Sequence, residues 1–63
     1  MDEKVKQETE KLLLEGYGVR TSEDFCALKP ADLAALYTDL QQIEKRYGLD
    51  DAAMELVMKA ILG

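Results

Sequence analysis

"KPADLAALYTDLQQIEKRYGLDDAAMELVMKAILG", residues 29–63, decides how the chain is read. Leu33, Leu36, Leu40, Ile43 and Tyr47 recur at 3-4-3-4 spacing. That period puts them on one face of a helix, and Tyr37 widens the stripe. Pro30 suits a first helical position, Asp32 complements the positive end of the helix dipole, and Lys45 and Arg46 complement the negative end. Gly48 then stops the helix, Leu49 folds back as the apolar clasp of a glycine cap, and Asp50 caps the final helix. Helices over 30–47 and 50–62, joined this closely, predict a tight helical hairpin. In the second of them, only Glu55 and Lys59 are polar between Ala52 and Leu62. With Asp51 they form a single narrow stripe, so most of the helix circumference is apolar.

Upstream, "DEKVKQETEKLLLEG" favours helix over 3–15, with Val5, Leu12, Leu13 and Thr9 on one face and first turns polar enough to fray. Gly16 or Gly18 can end it by taking positive φ. "TSEDFCAL" predicts a short capped turn of helix over 22–26. There Thr21 or Ser22 caps, Asp24 lies in the first turn, and Phe25, Cys26 and Leu28 point to the core. "GYGVRTSED" and "RYGLDD" share a pattern that shared helix-ending chemistry explains better than a duplicated unit does. The expected fold class is therefore all-α: one small domain over 1–63, of three helices plus a short helical turn, centred on the C-terminal hairpin.

Sixty-three residues bury a modest share of their unfolded surface, so a domain of this size has a thin stability margin. Small domains often add a disulfide, a metal or a second copy. Cys26 is the only cysteine and histidine is absent, so an internal disulfide is impossible and a zinc site lacks its usual ligands. Self-association or a partner protein remains. The 13 acids outnumber the 8 bases, for a net charge of −5, and the bases are scattered, which argues against nucleic-acid binding. No apolar run reaches the ~20 residues that cross a bilayer. A single free thiol and no leader-like opening give a cytoplasmic expectation.

Little in the chain points to chemistry. Histidine-dependent catalysis is excluded, Ser22 reads as a cap, and Cys26 has no histidine to activate it. The pairs Glu23-Asp24 and Asp50-Asp51 sit at helix starts, where the dipole accounts for them. The oxygen-rich loop of an EF-hand and a phosphate-cradling glycine loop are both missing. The expectation is a non-enzyme with no cofactor, metal or small-molecule substrate.

Surface remains. One flank of the final helix packs on the hairpin, and the polar first helix is not expected to wrap the other completely. Met54, Val57, Met58, Ile61 and Leu62 are therefore the expected protein interface, methionine being adaptable at binding surfaces. Such a protein would be a regulator, an inhibitor or adaptor, acting as a homodimer and holding one other protein. The alternatives are a self-assembling structural subunit or a degenerate helix-turn-helix regulator.

Residues 27–62 also resemble the helical second half of the CbpM-type chaperone modulators, relatives of the MerR regulators. Leu33, Leu36, Tyr47-Gly48-Leu49-Asp50, Val57 and Ile61 occupy places comparable to that family's leucine-led helix, glycine break and apolar helix. Ala53 stands where the family often has glycine, and Ile43-Glu44 where a basic motif is common. The resemblance implies a non-enzymatic protein that binds a J-domain co-chaperone.

Overall fold

The computed structural model describes residues 2–63, which fold into four helices and, among the described residues, no strand. Helix α1 spans Glu3–Lys11, α2 Ser22–Cys26, α3 Pro30–Tyr47 and α4 Asp51–Leu62. Each start has a local cause. Asp2 accepts from Lys4 N at 2.9 Å, Thr21 from Asp24 N at 3.2 Å, and Asp50 from Ala53 N at 2.8 Å. Helix α3 starts with Pro30 in its first turn and has no side-chain cap.

The stops are equally local. Gly48 has φ +66°, and the Glu44 carbonyl accepts from both Gly48 N and Leu49 N, the latter at 2.8 Å. Leu49 packs against the core, as a clasp should. Helix α1 runs on as a π-helical turn, Leu12–Gly16, before Gly18 turns the chain at φ +67°. Gly18, not Gly16, is thus the terminator. Val19 N reaches back to the Leu13 carbonyl at 2.9 Å, and the Val19 side chain is buried. The wider π turn presents Leu13 to the core, leaves Leu12 half-buried and puts Leu14 outside.

The core joins three helices. Val5 and Leu13 come from α1 and its π turn, Leu36, Leu40 and Ile43 from α3, and Met54 and Val57 from α4, with Val19 beside them. The polar first helix leaves Leu56 of α4 exposed, but it packs on α4 more extensively than α3 does. A row spaced every four residues, Val5, Thr9 and Leu13, suffices for this, because all three are buried. Beside the row, Glu8 ties α1 to the end of α3, while Glu3, Lys4, Gln7, Glu10 and Lys11 face solvent. Glu8 accepts from the Tyr47 hydroxyl at 2.6 Å and pairs with Arg46, and Tyr17 donates to Asp39 at 2.6 Å. The Asp39 carboxylate pushes the Tyr17 phenol up to about 12, because ionisation would lose that hydrogen bond and set two negative charges together.

One expectation is corrected at Cys26, which is exposed and not in the core. Helix α2 is a single turn, and with Phe25 and Leu28 packed against the core, the residue next to Phe25 points away.

Candidate protein-binding groove

Because α1 takes so much of α4, helices α3 and α4 leave a groove between them on the side where α2 lies. Its volume is about 700 Å³. The apolar part of the α4 wall is one row, Met54, Met58 and Leu62, spaced by one helical turn. Facing it on α3 are Tyr37, Leu40, Gln41 and Glu44, spaced i, i+3, i+4 and i+7. Helix α2 closes one end with Ser22 and Phe25. Phe25 meets Tyr37 edge to face, ring centroids 6.4 Å apart at 80°. Tyr37 nevertheless remains 51 % exposed.

Charge is unevenly placed around this apolar lining. Glu44, Asp51 and Glu55 face the groove with Lys59 as the lone base. Glu44 is buried in the seam between α3 and α4, 8 % exposed, because Leu40, Glu44 and Tyr47 follow the core period of α3. Its carboxyl is held above the usual carboxylate range by a hydrogen bond to the Asp51 side chain, then by burial, then by the charges of Asp51 and Asp50. Asp51 is there because Asp50 caps α4, which fixes the next residue at the mouth of the groove.

Of the five interface residues expected from sequence, the structure divides the set. Met54 and Val57 are core residues, and Ile61 is half-buried against the same core without lining the groove. Met58 and Leu62 are half-buried, line the groove and, with Met54, make its α4 wall. Phe25, Tyr37 and Glu44 were not among the expected site residues. The signal for Tyr37 and Glu44 was the second α3 face, in which Tyr37, Gln41 and Glu44 repeat at helical spacing. On the outer side of α4, Ala52, Leu56 and Ala60 form an exposed row, with Leu56 63 % exposed.

Among the described residues no three acidic or cysteine side chains converge to hold a metal ion. No helix of the described residues is long and apolar enough to cross a membrane. No family model matches the chain, and neither a curated protein nor a solved structure matches it.

Proposed function

We propose that this protein is a small non-enzymatic regulator, an inhibitor or adaptor, that holds a helix of another protein in the α2–α3–α4 groove. The observation that carries this reading is the apolar lining left open by an otherwise closed core. Leu40, Met54, Met58 and Leu62 lie under a Phe25–Tyr37 pair, in a space within the size range of ligand sites. An amphipathic helix docks on such a groove through anchors at i, i+3 or i+4, and i+7. Two methionines in the lining let it adapt to the anchors it receives. The groove supports this role independently of the resemblance of residues 27–62 to the chaperone modulators.

The test is affinity isolation from the native host with wild type, Tyr37→Ala and Leu14→Glu, followed by titration of whatever is recovered. Leu14 is exposed and outside the groove, so Leu14→Glu should retain the partner and Tyr37→Ala should lose it. Circular dichroism establishes that each variant is folded. Equal retention by both variants would rule the groove out.

Self-association through α4 is a second reading, favoured by the exposed Ala52-Leu56-Ala60 row. A two-fold pairing along that row would bury Leu56 in each copy, and a chain built mainly for this would be a self-assembling subunit. Sedimentation across a dilution series then shows a dimer that Leu56→Glu converts to monomer. A wild type that stays monomeric at high concentration removes this reading.

A further inference from the structure

We infer that the occupant of the groove is a basic amphipathic helix of another protein, with its apolar face on Met54, Met58 and Leu62 and a lysine or arginine beside Glu44 and Asp51. This rests on the binding role proposed above and specifies the partner's chemistry. Glu44 is largely covered as a residue, but its carboxyl opens onto the groove beside the acids at the start of α4. Among the described residues no lysine or arginine pairs with it, and the polar side chain it meets is another acid, Asp51. A cation brought in by a partner would relieve that repulsion and donate charge-assisted hydrogen bonds to both carboxylates. The surrounding charge points the same way. Glu44, Asp51 and Glu55 outnumber Lys59 around the groove, and the chain as a whole carries −5. Such a field also speeds the approach of a basic partner.

A second copy of this chain fits the groove poorly. Two-fold pairing groove to groove would set the same acids opposite each other. Nor does the chain carry a free basic apolar helix face to offer. The lysines of α1 alternate with Glu3, Glu8 and Glu10, and its apolar row, Val5 and Leu13, is buried in its own core.

The test uses three labelled helix-stabilised peptides of about 15 residues, the length at which isolated helices become viable. All three carry leucines at i, i+3, i+4 and i+7, flanked by lysine, glutamine or glutamate. Fluorescence anisotropy gives their affinities for wild type, Tyr37→Ala, Glu44→Gln and Glu10→Gln. Glu10 is exposed on α1, so Glu10→Gln removes the same charge at a distance from the groove. The lysine peptide should bind about tenfold more tightly than the glutamine peptide, and the glutamate peptide most weakly. Glu44→Gln should remove most of that preference, while Glu10→Gln leaves it in place. Equal binding of the lysine and glutamine peptides, both weakened by Tyr37→Ala, would keep the groove and overturn the basic partner. Equal losses in Glu44→Gln and Glu10→Gln would reduce the preference to the overall field, and overturn it as well. If no peptide's binding depends on Tyr37, the groove itself fails as a docking face. Self-association that Tyr37→Ala abolishes would seat a second copy there and overturn the inference.

Discussion

Glu44 illustrates how one largely covered side chain can be tuned by the first residue of the next helix, Asp51. Its raised pKa means that the folded protein holds this proton more tightly than the unfolded chain does. The stabilisation is present below the ordinary carboxylate range and is lost as pH rises through the raised value. Above that raised value the folded state carries the Glu44–Asp51 repulsion, with Asp50 adding to it. Glu44→Gln keeps a hydrogen-bond donor toward Asp51 at every pH. The urea midpoint of Glu44→Gln should exceed that of wild type at the high-pH end of a titration, and the difference should shrink as pH falls through the raised value and into the ordinary carboxylate range. A variant that is less stable at the high-pH end would mean that the ionised carboxylate is favourably bound. Thr9 is a second case. It is fully buried in α1 and its hydroxyl has no partner among the described residues. Thr9→Val replaces that hydroxyl with a methyl of similar shape and should stabilise the fold by roughly 1 kcal/mol, again read from urea denaturation. A loss of stability would show that the hydroxyl is hydrogen-bonded after all.

At the scale of elements, the stop signals are the most local and the most readable. Gly48 takes the left-handed conformation, where a Cβ costs energy through the backbone itself even though the space around it is open. Gly48→Ala should destabilise by about 1 kcal/mol. Gly16→Ala should have the opposite sign, because Gly16 is helical and its Cβ would meet only Leu12 Cδ1 at an ordinary 3.5 Å. Thermal or urea midpoints moving in the same direction for both would contradict the assignment of the turns. The helix signals themselves also lie in short windows: the Leu36–Leu40–Ile43 stripe, the caps at Thr21 and Asp50, and Pro30. The all-helical class was legible for that reason. The role of α1 was not, because its ties join residues far apart in sequence, Glu8 to Arg46 and Tyr47, and Tyr17 to Asp39. Glu8 and Lys11 look alike in a polar pattern until a partner is known. The site was half legible for the same reason. Met58 and Leu62 could be picked from the composition of α4, whereas Glu44 becomes notable only once burial and Asp51 are seen together.

For the molecule as a whole, the first helix is what closes the core. The chain's radius of gyration is 10.8 Å, against about 10.6 Å for a compact chain of this length. Leu13, fully buried in the π turn, is the anchor of that closure. Leu13→Ala should cost about 2–5 kcal/mol, a large share of the stability of a small domain. An unchanged urea midpoint would mean that α1 does not pack as described. With α1 on one side of α4, the open apolar lining lies on the other side, where Met54 and Met58 line the groove. Their methyl groups report on that groove directly. In a ¹³C-methyl-methionine sample titrated with the leucine–lysine peptide, the Met54 and Met58 resonances should shift together and saturate at the anisotropy-derived affinity, and Tyr37→Ala should abolish the response. Saturable binding that leaves both methyl resonances in place would contradict the groove as the working surface of this protein.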